Sequence, residues 1–242
     1  MAKVEFEPHL AYTQNYILIL KVRSLMNESK TRLIGRLHIL TDFLFQQRFG
    51  HAKLTQLAIQ GGADTIQFRQ KSTWIRHKLF EAKATAGICK AAHIPLIIDD
   101  HIDIMLAVGA SGVHLGQSDF PVRQARRILG PDVIIGATVT TTEQAKRAYD
   151  DGADYLGFGP VFVTRSKANP ASVKGVSGLA KVCQAVPLPI IAIAGITVDR
   201  VRPVLEAGAY GVAVMTAVSC APHPSKATAA FRKAIDDVLN EH

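Results

Sequence analysis

Asp151-Gly152-Ala153-Asp154-Tyr155-Leu156-Gly157 is one version of a phrase that recurs along this chain. The others are Gly61-Gly62-Ala63-Asp64-Thr65-Ile66, Val108-Gly109-Ala110-Ser111-Gly112-Val113 and Glu206-Ala207-Gly208-Ala209-Tyr210-Gly211-Val212. In each, a glycine ends a helical stretch, an alanine follows and a β-rich run begins. Glycine reaches the left-handed backbone that closes a helix at no steric cost. The small alanine then allows a tight turn into the next strand. Recurrence of this kind is the trace of a strand–helix unit used many times.

Working outward, short apolar runs mark eight strands near 37–41, 65–68, 95–98, 112–115, 133–137, 155–158, 189–193 and 211–214. They are apolar throughout, as parallel strands covered on both faces are. Helical stretches fall around 52–60, 72–92, 101–108, 121–129, 142–151, 177–185, 198–207 and 224–239. The pattern predicts an α/β chain folded as a single (β/α)8 TIM barrel over residues 35–242, with a doubly wound open sheet as the other arrangement. Residues 1–34 do not share it and read as an N-terminal extension, partly helical or packed outside the domain. Tyr16-Ile17-Leu18-Ile19-Leu20 is too short for a signal sequence and follows Glu5, Glu7 and His9.

The 28 Lys and Arg outnumber the 20 Asp and Glu, a basic balance that suits acidic partners. The excess is neither clustered in a tail nor interleaved with aromatics, which argues against nucleic acid. No apolar run reaches membrane-spanning length. Cys89, Cys183 and Cys220 are odd in number and far apart, which fits a reducing, cytoplasmic setting. Oligomeric state is left open, a homo-oligomer included.

In either fold, ligands bind at the C-terminal ends of the strands. Strand two ends in Gln67-Phe68-Arg69-Gln70-Lys71, where alternation puts Gln67, Arg69 and Lys71 on one face and Phe68 on the other. An undiluted cationic row suits a phosphate, although the stretch alone reads equally as a basic, solvated strand end. Asp99 and Asp100 end strand three, and Gly116-Gln117-Ser118-Asp119 follows strand four. Asp100 and Asp119 suit Mg²⁺, or a salt-bridge network holding the rim together, and Asp99 could cap the helix that follows it. Thr138 ends strand five. A long loop after strand six carries Thr164, Arg165, Ser166 and Lys167, with Lys167 able to close on an anion. Gly195-Ile196-Thr197 and Met215-Thr216 stand after strands seven and eight, where backbone amides at helix starts can bind phosphate.

These stretches, with Gly157-Phe158-Gly159-Pro160-Val161-Phe162 and Gly211-Val212-Ala213-Val214-Met215, resemble in order and spacing the motif set of the thiamine-phosphate synthase family. The resemblance covers about Gly35 to the C-terminus. It implies a (β/α)8 barrel enzyme, a transferase of thiamine biosynthesis, that joins hydroxymethylpyrimidine diphosphate to a thiazole phosphate and releases pyrophosphate. By position it implies that Gln67, Phe68, Arg69, Gln70, Lys71, Asp99 and Thr138 serve the pyrimidine diphosphate. It implies Mg²⁺ on Asp100 and Asp119. Thr164, Arg165, Ser166, Gly195, Met215 and Thr216 would hold the thiazole phosphate, and Lys167 would join Arg69 and Lys71 on the diphosphate. The chain departs from the family pattern at Gln70, where Glu or Asp is usual, at Asp99, where Asn is usual, and at Ala194, where Gly is usual. Thr140 stands where many members carry His. Competing readings are a thiazole tautomerase, which uses a His at the place of Thr140, and a non-catalytic phosphate-binding barrel. A third is an unrelated phosphate-binding isomerase, for which Asp42 is available as an acid–base group.

Overall fold

In the computed structural model, described here over residues 33–42, 44–71, 73–164, 166 and 172–241, every strand pairs in parallel with the next. The order is β1 (Leu37–Thr41), β2 (Thr65–Phe68), β3 (Leu96–Asp99), β4 (Gly112–Leu115), β5 (Ile134–Val139), β6 (Tyr155–Phe158), β7 (Ile190–Ile193) and β8 (Gly211–Val214). Pairing of Leu37 with Val212 and of Ile39 with Val214 closes β8 onto β1. The ring is therefore a closed (β/α)8 barrel, and the open doubly wound sheet is excluded. The helices are α1 (His51–Gln60), α2 (Ile75–Ala91), α3 (Ile102–Val108), α4 (Val122–Leu129), α5 (Thr142–Asp150), α6 (Gly175–Ala185) and α7 (Val201–Glu206). A 3₁₀ turn, Val198–Arg200, leads into α7, and α8 (Thr216–Ser219) and α9 (Pro224–Leu239) complete the chain. Nearly all of the N-terminal extension lies outside the described residues.

The strands are apolar on both faces because two cores share them. Leu37, Ile39, Ile66, Phe68, Ile98 and Val113 point outward into the layer under the helices. Leu40, Ile97, Ile134, Tyr155, Ile191 and Ala213 fill the barrel, with Ile34 packed among them. Among the described residues no helix is long and apolar enough to cross a membrane.

The recurring phrase does what its residues dictate. Gly62, Gly109, Gly152 and Gly208 all have positive φ, from 63° to 99°. The aspartates in two of the phrases carry a further task. Asp64 accepts from the N–H groups of Arg36 and Leu37 at 2.9 Å and pairs with Arg232. Asp154 accepts from the N–H of Ile135 at 2.8 Å and pairs with Arg126. Each aspartate thus satisfies an orphan amide where the preceding strand enters the barrel, at the end away from the strands' C-termini. Two local expectations are corrected. α2 starts at Ile75 rather than at residue 72. The connector after β8 is itself a short helix, α8.

Candidate active site at the C-terminal rim

Gln67 on β2 points into the barrel, where its amide donates to Asp99 at the end of β3. Asp99 is 8% exposed. Burial, then the neighbouring charge of Asp100, push its carboxyl up to about 7 against the pull of Gln67, Arg69 and Lys71. Its side chain is occupied in this way, and the residue flanking α3 is His101, so Asp99 is not the helix cap. Arg69 donates to Asp42 beyond β1 and lies 3.6 Å from Asp99. Lys71 pairs with Asp100. The expected cationic row is therefore diluted, since each cation meets a carboxylate.

Asp100 adopts a left-handed backbone, φ 65°, which Asp tolerates better than most residues. Its N–H donates to the carbonyl of His114 at 2.9 Å. Burial opposes ionisation of its carboxyl, but hydrogen bonds with Lys71 and Asp119 and the Lys71 charge outweigh burial and hold it low. Asp119 anchors its loop by accepting from the Gly116 N–H at 2.7 Å. Burial and the hydrogen bond with Asp100 push the Asp119 carboxyl up. Contact between the two carboxyls thus drives them apart in acidity, Asp100 held low beside Lys71 and Asp119 pushed up. Among the described residues no cluster of three or more His, Cys, Asp or Glu forms a ready metal cage.

Phe68 and Gln70 lie on the other side of this segment from these groups. Phe68 faces the helix layer, its ring 4.4 Å from that of His51. Gln70 is buried beside His51, Nε2 to Nε2 3.4 Å, and His51 Nδ1 lies 2.8 Å from Thr41 Oγ1. One residue of offset along the chain turns both side chains out of the lumen.

The other half of the rim is built from hydroxyls and close backbone. Ser166 Oγ lies 3.0 Å from Thr216 Oγ1, and the Ser166 N–H donates to Thr164 Oγ1 at 3.2 Å. Gly195 has φ +66°, and a Cβ there would come within 2.6 Å of the Val163 carbonyl. Only glycine lets the loops after β6 and β7 touch in this way. Arg200 ties them, donating to the Gly195 carbonyl at 2.7 Å with its guanidinium 4.5 Å over the Phe162 ring. Met215 packs on the inner core beside these groups. Arg165 and Lys167 lie outside the described residues.

Three residues to which the motifs assign no ligand also build the rim. Asp42, 3% exposed, receives Arg69. Gln117 donates to the Thr138 carbonyl at 2.6 Å. His114 on β4 sits inside the barrel, bonded to Thr138 and Tyr155. Its signal in the sequence is its position two residues from Gly112 on a strand, with Gly136 and Gly157 on the next two strands leaving room for an imidazole.

With a charged half on β2–β4 and a hydroxyl half on β6–β8, the rim is that of a (β/α)8 barrel enzyme. Residues 43–218 match the thiamine monophosphate synthase family. The chain is 62% identical over 208 residues to thiamine-phosphate synthase of Salinibacter ruber, covering 86% of this chain and 92% of that protein. It is 40% identical to thiamine-phosphate synthase of Roseiflexus sp., over 86% of this chain and 88% of the relative. Among solved structures, thiamine phosphate pyrophosphorylase of Pyrococcus furiosus superposes with a TM-score of 0.79 at 38% identity, covering 86% of this chain and 98% of that one. The chain belongs to the thiamine monophosphate synthase family.

Proposed function

We propose that this chain is a transferase that condenses 4-amino-2-methyl-5-(diphosphooxymethyl)pyrimidine with a thiazole phosphate, giving thiamine phosphate and pyrophosphate. The observation that carries this reading is the meeting of Lys71, Asp100 and Asp119 at the ends of β2, β3 and β4. Breaking a carbon–oxygen bond to diphosphate creates negative charge on the leaving group, and a preorganised cationic site stabilises that charge as it develops. Arg69 and Lys71 supply it. Gln67 and Thr138 offer polar contacts to the aminopyrimidine ring. Ser166, Thr164, Thr216 and the backbone at Gly195 bind the thiazole phosphate, with Arg165 assigned to the same group. Lys167 is assigned to the diphosphate. The thiazole nitrogen is itself the nucleophile, so no protein nucleophile is required.

The Asp100–Asp119 pair fits Mg²⁺, a hard cation that takes one or two carboxylates and keeps its other positions for water and phosphate oxygens. Contact with Asp100 pushes the Asp119 carboxyl up, and a cation between the two would relieve that repulsion. Bound there, Mg²⁺ supplies positive charge to the diphosphate oxygens. Lys71, already paired with Asp100, holds the rest of that charge beside it.

A thiazole tautomerase needs a proton-transfer group after β5. Thr140 is there instead, donating both its N–H and its hydroxyl to Gln144 Oε1, at 2.7 and 3.0 Å. The three free cysteines favour a reducing compartment, which we read as the cytoplasm. The test is incubation of the purified chain with both substrates and Mg²⁺. Thiamine phosphate and pyrophosphate in equal amounts are expected. Binding of the thiazole phosphate with no condensation would overturn the reading.

A further inference from the structure

A chain of three side chains runs from the middle of the barrel to the rim. Tyr155, 1% exposed, lies with its hydroxyl 2.9 Å from Nδ1 of His114. His114 Nε2 lies 2.8 Å from the Thr138 hydroxyl. The imidazole is held between the strands because Gly136 and Gly157 leave it room. A Cβ at Gly136 would overlap both the Tyr155 ring and His114 Nδ1, and one at Gly157 would come within 2.9 Å of His114 Cε1.

The direction of the protons along this chain can be derived. A neutral imidazole has one N–H and one bare nitrogen, so it donates at one end and accepts at the other. The His114 ring is buried and bonded to two hydroxyls, with no carboxylate hydrogen-bonded to it among the described residues, which keeps it neutral. Two polarities remain. If Nδ1–H donated to Tyr155, the tyrosine hydrogen would have no acceptor among the described residues, because its oxygen bonds to His114 alone. An orphaned donor in a buried site carries its full desolvation cost. If Tyr155 donates to Nδ1, then Nε2–H donates to Thr138, and the unsatisfied hydrogen is that of the Thr138 hydroxyl. Thr138 is partly exposed at the rim, where a ligand or water can accept it. Only the second polarity satisfies the buried atoms.

We propose that Tyr155 and His114 are positioning residues that fix Thr138 as a hydrogen-bond donor toward the rim, selecting a substrate with an acceptor atom there. A ring nitrogen of an aminopyrimidine is such an acceptor. That identification rests on the proposed function, but the polarity of the chain does not. An isostere presenting an N–H or C–H at that atom is rejected, because Thr138 cannot reverse without orphaning Tyr155.

Two measurements on the full chain test this separately. Nitrogen NMR of the ¹⁵N-labelled His114 ring reads its tautomer directly. Neutral Nε2–H is expected in the wild type near neutral pH, and Nδ1–H would overturn the inference whatever the enzyme makes. In Tyr155→Phe the Nε2–H signature is expected to give way to a mixture, and an unaltered tautomer would also count against it. Kinetically, Tyr155→Phe and Thr138→Val should each raise KM for the pyrimidine diphosphate roughly five- to tenfold, the loss of one neutral hydrogen bond. KM for the thiazole phosphate should not move. Combining them should be no worse than Thr138→Val alone, since Tyr155 acts through Thr138. Additive losses, or equal effects on both substrates, would mean a merely structural role. A wild type with the expected tautomer but no condensation would sink the proposed function and leave the polarity standing.

Discussion

Asp100 and Asp119, on the loops after consecutive barrel strands, bring their carboxyl groups together beside Lys71. Two carboxylates in contact repel one another, and a cation between them relieves that repulsion. Asp119→Asn keeps a polar group but removes one charge from the pair. The Mg²⁺ concentration for half-maximal turnover should rise at least about tenfold, given the strength of a single contact charge at a protein surface. Titration of activity with Mg²⁺ reads this, and an unshifted midpoint would place the cation elsewhere.

Ser166 and Thr216 join the β6 and β8 loops through their hydroxyls, 3.0 Å apart. Ser166→Ala removes one donor from the hydroxyl half of the rim. KM for the thiazole phosphate should rise roughly tenfold, as for loss of a hydrogen bond to a charged group, while KM for the pyrimidine diphosphate stays put. Steady-state kinetics with each substrate varied in turn separates the two.

His38 and His51 make stability depend on pH. Burial is the main cause that pulls each down to about 4 from an ordinary 6.5. Between those values the unfolded chain binds protons that the folded chain does not, so stability is full above about 6.5. It is lost as pH falls toward 4, by up to roughly 3 kcal/mol for each histidine. Urea melts at several pH values check the sign. His38→Gln should flatten the slope in that window, and an unchanged slope would show that His38 titrates normally in the fold.

Two glycines make a contrast that tests the barrel interior. Gly136 has the Tyr155 ring and His114 where a Cβ would go, whereas Gly87 on α2 has nothing within 4 Å. Gly136→Ala should cost about 1–3 kcal/mol by overpacking. Gly87→Ala should add about 0.5–1 kcal/mol through helix propensity. Denaturant midpoints of the two variants should move in opposite directions.

Much of the fold can be read from the chain because its physical cause is local. Helix-ending glycines such as Gly109 and Gly152, each followed by alanine and an apolar run, locate the strand–helix units without tertiary information. The short α8 escapes because four residues carry no periodicity. At the rim, strand alternation correctly turns Gln67 inward and Phe68 and Gln70 outward, but it does not say what the outward side chains meet. The burial of Gln70 beside His51 is set by α1, which no pattern within Gln67–Lys71 encodes. The pairing of each cation with a carboxylate is also non-local. Arg69 finds Asp42 27 positions away, and Lys71 finds Asp100 29 away. His114 is legible only in combination with Gly136 and Gly157, through the space those residues leave between strands.

The central claim is that the β2–β4 half of the rim stabilises a departing diphosphate, and Lys71 tests it most directly. Its side chain is 44% exposed, so Lys71→Ala should leave the fold intact. Rapid-quench measurement of pyrophosphate release with both substrates saturating isolates the bond-breaking step. The account predicts a rate roughly a hundredfold lower than wild type, the usual loss for one preorganised charge-stabilising group, with affinity for the thiazole phosphate unaltered. Release at the wild-type rate would contradict it.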